Sequence, residues 1–306
     1  MTWNFEEVYV GPNRPLGGLA WDGQRMLVTD INDGTLIALD PKTKSTEIVR
    51  RHLNRVNGIA FGDDGALYGC QEGSRRVIRM LSDGSASVTA TKLHDENHNH
   101  PHLLTIDKKG SIWFSDIHHP LKASGPQIFP YLDHQSILKL TRESRPRGHW
   151  HIDRMTVDTI SPTGLALSLD EKTLYVSDNN MEHDGVRELR AYPILEDGGL
   201  GLYRVLHTFG RDHQGVQRGI SGMCIDKSGN LFACAGSNVS GPGPMIYIFS
   251  PNGAILGAHP FPVDMPTNCA FGDADLKTLY ISTSCGSLYR VKDNGYEGHI
   301  LHTKSL

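Results

Sequence analysis

NHNHPHLLTIDKKGSIWFSDIHHP, residues 97–120, holds the sequence unit from which the fold is read. Its apolar run LLTI enters a polar turn, DKKG, and leaves through the alternating SIWFSD. That period-2 pattern describes two antiparallel strands joined by a short turn. The unit PHLLTIDKKGSIWFSD (residues 101–116) recurs as LGGLAWDGQRMLVTD (16–30), VNGIAFGDDGALYGC (56–70), PTGLALSLDEKTLYVSD (162–178), ISGMCIDKSGNLFACA (220–235) and PTNCAFGDADLKTLYIST (266–283).

The second residues of these six units are Gly17, Asn57, His102, Thr163, Ser221 and Thr267, with spacings of 40, 45, 61, 58 and 46. A period of roughly 40–50 residues containing several short strands is that of a β-propeller blade. The sequence therefore predicts an all-β, six-bladed β-propeller with four-stranded antiparallel blades around a central channel. Further strands are expected at residues 35–40, 76–80, 136–140, 245–249 and 287–291. Glu6–Val10 is read as the strand that completes the last blade, beside residues 298–302. Closing the ring in this way removes exposed sheet edges.

No composition shift marks a boundary, so residues 1–306 are read as one propeller domain. The longer intervals place extra chain at residues 117–134, 141–155, 179–187 and 210–218, loops of the kind that form a binding mouth. Glycine (33) and proline (16) are abundant, as short strands and many turns require. With 30 basic and 34 acidic residues, net charge -4, and no basic run, no nucleic-acid or anionic-membrane footprint is present. No apolar stretch approaches the roughly 18 residues of a membrane span, and the N-terminus lacks a leader pattern, so a cytoplasmic protein is expected. Its five cysteines lack CxxC spacing and sit in apolar strand-like segments, where they read as buried thiols. No phosphate-binding glycine loop, GxSxG or HExxH motif occurs. Matching aromatic positions such as Trp21, Tyr68, Trp113 and Tyr280 read as packing between blades.

Several phrases resemble the regucalcin/gluconolactonase (senescence marker protein) family of six-bladed propellers, which looks related to the diisopropylfluorophosphatases. They are TLYVSD (173–178), ISGMCIDKSGNLF (220–232), PTNCAFGDADLKTLYIST (266–283) and EGSRRVIR (72–79). The resemblance implies a channel-borne divalent cation, usually calcium, held by side chains at the second position of the blade units. On this chain those positions are Gly17, Thr163, Ser221 and nearby His102, and none keeps the family's residue. Calcium takes six to eight oxygen ligands, including carboxylates, so a calcium site of the family type is not supported.

Imidazole is present instead. His98, His100 and His102 alternate, and His118, His119 and His134 follow the second strand. One reading is a zinc or other transition-metal site, with His102 joined by two of His100, His118, His119 and His134, most simply His102, His119 and His134. A second is metal-free catalysis with His102, or a neighbour such as His118 or His119, as general base and Asp178 orienting it. A third leaves the loop histidines structural, and a fourth builds a different calcium site using Asp30, Asp116 or Asp178. The resemblance implies a hydrolase that opens a lactone or related cyclic ester or carbonyl small-molecule substrate at the central channel mouth, and His102 is the preferred base or metal ligand. Asn57, Thr163, Ser221, His100 and His134 are the candidate substrate contacts. The alternatives are a non-catalytic propeller that binds a small molecule or partner, and an isomerase- or lyase-type reaction.

Overall fold

In the computed structural model, which describes residues 3–119, 130–143 and 149–303, six four-stranded antiparallel sheets succeed one another around a ring. Blade 1 comprises Leu16–Trp21, Met26–Asp30, Thr35–Leu39 and Thr46–Arg50. The inner strands of blades 2 to 5 are Val56–Phe61, His100–Ile106, Pro162–Leu167 and Ile220–Ile225. Blade 6 takes Pro266–Gly272, Thr278–Thr283 and Ser287–Val291 from the end of the chain and Glu6–Val10 from its start. Each inner strand touches the next, and that of blade 6 touches that of blade 1. The six units of the sequence are the six blades.

Local chemistry explains the hairpins. In blade 3, Asp107 Oδ1 accepts the backbone N–H groups of Lys109 (3.0 Å) and Ser111 (2.9 Å), while Oδ2 accepts Trp113 Nε1–H at 3.1 Å. Gly110 adopts φ +79°, a left-handed conformation that glycine enters without steric cost. The turn aspartate thus satisfies the tight bend and anchors the aromatic residue of the second strand. Asp64 with Tyr68 and Asp273 with Tyr280 repeat the aromatic anchor.

The hydrophobic core is distributed as six clusters, one at each blade-to-blade interface. Leu36, Ile59, Phe61 and Ile78 lie between blades 1 and 2, and Phe114, Leu138, Tyr68 and Val77 between blades 2 and 3. The cluster of Val8, Leu16, Val28, Tyr280 and Leu288 seals blade 6 against blade 1. At the channel the backbones approach closely: a Cβ added at Gly58 would lie 2.7 Å from Leu103 Cα and 2.9 Å from the His102 carbonyl oxygen.

Two expectations change. Glu6–Val10 pairs with Ser287–Val291, in the register Glu6 to Arg290, instead of lying beside residues 298–302. The alternating SLYRV strand already presents the free edge of blade 6, and Glu6–Arg290 (2.6 Å) and Tyr289–Glu7 (3.0 Å) fix the pairing with side chains. Residues 298–302 instead cross the opposite end of the channel, where the His299 N–H meets the Ile225 carbonyl and His302 Nε2 the Asp107 carbonyl. The segment 141–155 is also less of a loop than expected, since Trp150–Arg154 forms the outer strand of blade 3 against Ser136–Arg142. Residues 120–129 of the expected loop 117–134, and 144–148, fall outside the described residues. Among the described residues no helix is long and apolar enough to cross a membrane.

Replacing Gly58 by Ala forces its Cβ against the backbone of blade 3, and overpacking of this kind costs about 1–3 kcal/mol. Urea unfolding of G58A is expected to show a midpoint lowered accordingly, and an unchanged midpoint would contradict the close approach.

Candidate active site

The chain leaves the second strand of blade 2, Leu67–Gln71, through the 3₁₀ turn Glu72–Ser74. Two backbone hydrogen bonds hold this turn, from Glu72 N–H to the Arg55 carbonyl (3.1 Å) and from Gly73 N–H to the Asn54 carbonyl (3.2 Å). A side chain at Gly73 would collide with Asn54. The Glu72 side chain borders a cavity of about 220 Å³ at the mouth of the channel, and is itself only 1% exposed. Asn57, His102, His119, Arg55, Arg218 and Ser221 are among the residues around it.

Glu72 organises this cavity. Its Oε1 lies 2.9 Å from His102 Nδ1 and 2.9 Å from Asn57 Nδ2. Oε2 lies 3.4 Å from Arg55 Nη2 and 3.6 Å from His119 Nδ1. Burial by itself pushes the Glu72 carboxyl up; the hydrogen bond and charge of His102, the Asn57 amide and the His119 charge outweigh it and hold the group at about 2. It is therefore an anion at neutral pH. The acceptor-only Glu72 carboxylate pairs with Nδ1–H of His102, and Asn57 Nδ2 lies 2.9 Å from the same nitrogen; in this tautomer Nε2 is the basic nitrogen. A buried carboxylate orienting an imidazole whose other nitrogen is free is an arrangement for accepting a proton.

The remaining candidates divide. Asn57, Ser221, His102 and His119 border the cavity. Burial lowers the basicity of His119 against the opposing charge of Glu72. His100 is buried behind it, accepting the His119 backbone N–H at Nδ1 (3.3 Å), and burial together with Arg75 brings its pKa to about 4. Thr163 turns its hydroxyl to the Ile220 carbonyl at 2.7 Å. His118 is exposed, stacks on Tyr131 with ring centroids 4.8 Å apart, and meets the Leu132 carbonyl through Nε2. His134 Nδ1 pairs with Ser136 Oγ at 3.0 Å, away from the cavity lining.

Asp178 is fully buried, where it accepts the N–H groups of Ile160 and Ser161 and pairs with Arg190 at 2.8 Å. Asp116 accepts the Asn99 N–H (2.7 Å) and Asp30 pairs with Arg14 (2.6 Å). These strand-end aspartates tie down neighbouring loops and do not form a ring of oxygen ligands. Arg75 likewise braces the histidine-rich segment, donating to the His98 (2.9 Å) and Pro130 (2.9 Å) carbonyls.

Glu72, Arg55 and Arg218 carry no assignment from the sequence. The signal nearest to Glu72 is its place directly after a second strand, inside the family-like phrase EGSRRVIR. What singles it out is burial beside His102, a contact between residues 30 positions apart.

Comparison with known proteins agrees with this architecture. A family model described as the SMP-30/Gluconolactonase/LRE-like region matches residues 17–285. A gluconolactonase of Zymomonas mobilis subsp. mobilis is 30% identical over 233 residues, covering 74% of this chain and 60% of the relative. A 6-deoxy-6-sulfogluconolactonase of Pseudomonas putida is 30% identical over 179 residues, covering 58% of this chain and 52% of that protein. The chain thus spans between half and two thirds of these two relatives. The structure of a gluconolactonase from Xanthomonas campestris superimposes with a TM-score of 0.77 at 26% identity, covering 95% of this chain and 89% of that one.

The calcium centre that the resemblance implies does not fit the residues present. A Cβ at Gly17 would lie 2.4 Å from Asn57 Oδ1, so the amide that bonds Glu72 occupies the space a ligand side chain would need. The Thr163 hydroxyl is turned to a carbonyl, and Ser221 Oγ accepts from Arg218. One carboxylate faces two guanidiniums around the cavity, whereas calcium sites collect oxygen ligands and negative charge. Among the described residues no group of three or more His, Cys, Asp or Glu is placed to hold a metal ion.

The depressed Glu72 pKa has a measurable consequence. Its folded value of about 2 lies below the ordinary 4.5, so it stabilises the fold above pH 4.5 and loses that contribution as pH falls towards 2. The difference corresponds to on the order of 3 kcal/mol. Urea unfolding of Glu72→Gln is expected to depend less on pH than wild type between those limits, and parallel curves would refute the assignment.

Proposed function

The chain belongs to the SMP-30/gluconolactonase/LRE-like family, and from that premise we propose that it is a lactone hydrolase acting on a small monocyclic, sugar-type lactone. The observation that carries the mechanism is the buried Glu72–His102 pair at the channel cavity. A volume of about 220 Å³ suits a single small ring, being below the roughly 300–1,000 Å³ typical of pockets for drug-sized ligands. The gluconolactonase names of the relatives supply the substrate class.

Lactone hydrolysis needs a water made nucleophilic and a proton returned to the leaving ring oxygen. His102 takes a proton from water at Nε2 while its Nδ1–H stays hydrogen-bonded to Glu72. The carboxylate holds the tautomer and stabilises the imidazolium that forms. The hydroxide oxygen bonds to the carbonyl carbon, and the carbonyl π pair moves onto its oxygen. When the tetrahedral species collapses, the ring C–O bond breaks and the ring oxygen takes the proton from His102, leaving a hydroxy acid. Asn57 positions the Glu72 carboxylate, and Ser221 and Asn268 add polar wall around the substrate. His119, kept poorly basic by burial, lies across Glu72 from Asn57 and shields the carboxylate from solvent. No step is assigned to a metal.

Replacing His102 by Ala is expected to lower kcat for a sugar lactone by about 10²–10⁴, the usual worth of a general base. His134→Ala is expected to stay within about threefold of wild type, since that ring does not border the cavity. These rates are readable by pH-stat titration of the acid released. A His102→Ala protein that keeps wild-type kcat while folded would remove the histidine mechanism.

A further inference from the structure

Arg218 borders the same cavity and has no part in the proton transfers. It ends the segment before the inner strand of blade 5, with Nη1 donating to the carbonyls of Gly236 (3.1 Å) and Pro266 (3.2 Å) and Nη2 to Ser221 Oγ. Arg55, the other cavity guanidinium, pairs with Glu72 at 3.4 Å. Among the described residues no carboxylate lies within ion-pair distance of Arg218. Burial lowers its pKa, yet a guanidinium remains charged in water at any working pH.

Holding a cation against carbonyl dipoles and one hydroxyl, with Asp264 acting on it only from beyond ion-pair distance, is costly in a poorly solvated site. The fork is also not saturated. A guanidinium has five N–H donors, and the three bonds above leave Nε–H and one Nη2–H available. These are fixed donors on a fixed charge beside the proton-accepting pair. Arg218 lines the same cavity as Gly17 and Ser221, where the family-type cation position is closed by Asn57 over Gly17 and neutral at Ser221.

We propose that Arg218 is the built-in electrophile of this site, polarising the lactone carbonyl and stabilising its oxyanion in place of a divalent cation. The inference rests on the lactonase reading. As the water oxygen bonds to the carbonyl carbon, the displaced π pair is met by the free N–H groups of Arg218, and it returns when the ring C–O bond breaks. Ser221, which accepts from Nη2, is a positioning residue for the fork. The reaction then needs only water and lactone.

The test compares wild type with Arg218→Gln on glucono-1,5-lactone and on a carboxylate-bearing sugar lactone, each before and after dialysis against EDTA. Calcium titration calorimetry on the wild type gives a readout independent of turnover. Wild type is expected to keep its kcat after EDTA and to bind calcium no more tightly than millimolar, at the weak end of the range for protein calcium sites. Arg218→Gln is expected to lose about 10²–10³ in kcat on both lactones with little change in KM, as when one oxyanion donor is removed. Guanidinium ion added to a folded Arg218→Ala protein is expected to restore part of that kcat, which a purely structural role would not allow. Should the Gln variant fail to fold, Arg218→Lys replaces it, and a kcat within about threefold of wild type would overturn the inference, since a point charge lacks the fork. Loss of wild-type activity on chelation with recovery on adding a divalent ion, tight calcium binding, or an effect of Arg218→Gln confined to KM for the carboxylate lactone would each overturn it while leaving lactone hydrolysis standing. A wild type that opens no lactone would overturn the lactonase reading and this inference together.

Discussion

The close packing of each inner strand on the next is the constraint from which the rest of the molecule follows. At Gly58 the backbone of blade 2 comes so near Leu103 of blade 3 that a side chain has no room, and Gly18 meets blade 2 in the same way through Ile59 and Asn57. Strands that approach this closely place their second residues together at the channel, so residues dozens of positions apart share one small volume. Six interblade clusters supply the hydrophobic stabilisation, because a single twisted four-stranded sheet has two faces to cover and each neighbour covers one. The strand Glu6–Val10, outermost in blade 6, closes the ring by hydrogen-bonding to Ser287–Val291, so the two ends of the chain share one sheet.

Within that ring, the charge balance of the cavity is set by one buried carboxylate. Glu72 is unfavourable where it lies unless hydrogen-bonded, and it collects Asn57, His102, Arg55 and His119. Satisfying Glu72 fixes the His102 tautomer, and placing Asn57 against Glu72 fills the space over Gly17. The orientation of the His102 ring and the closure of the ligand position over Gly17 are therefore one structural event. With Gly17 in the first blade unit and its buried acidic residue in the turn between the second and third strands of blade 2, the chain does not offer the implied calcium ligands, and two arginines line the cavity.

The strand-end aspartates show why similar residues take different roles. Asp30, Asp116 and Asp178 occupy equivalent positions, and each meets a backbone N–H or an arginine from a neighbouring loop. Their carboxylates hold the loops that surround the channel. The histidines divide in the same way: His98 and His100 are buried supports and His118 and His134 bond to loop groups, while His102 and His119 reach Glu72.

What the sequence by itself determined is periodic. Apolar alternation, turn aspartates with glycines and a unit recurring at blade length identify six hairpins, because strand and turn geometry are local properties; the channel-facing position of each is what the family resemblance implies. The register of the unit, joined to the family resemblance, points to His102, Asn57 and Ser221, and all three border the cavity. Only the tertiary structure decided the site: the partner strand of Glu6–Val10, the burial of Glu72, the separation of Asp178 and His134 from His102, and the position of Arg218. The reason is physical. A side chain's protonation and partners depend on which groups the ring closure brings within about 3 Å, and Glu72 with His102, or Arg218 with the Pro266 carbonyl, are neighbours in space whose separation along the chain leaves no periodic trace.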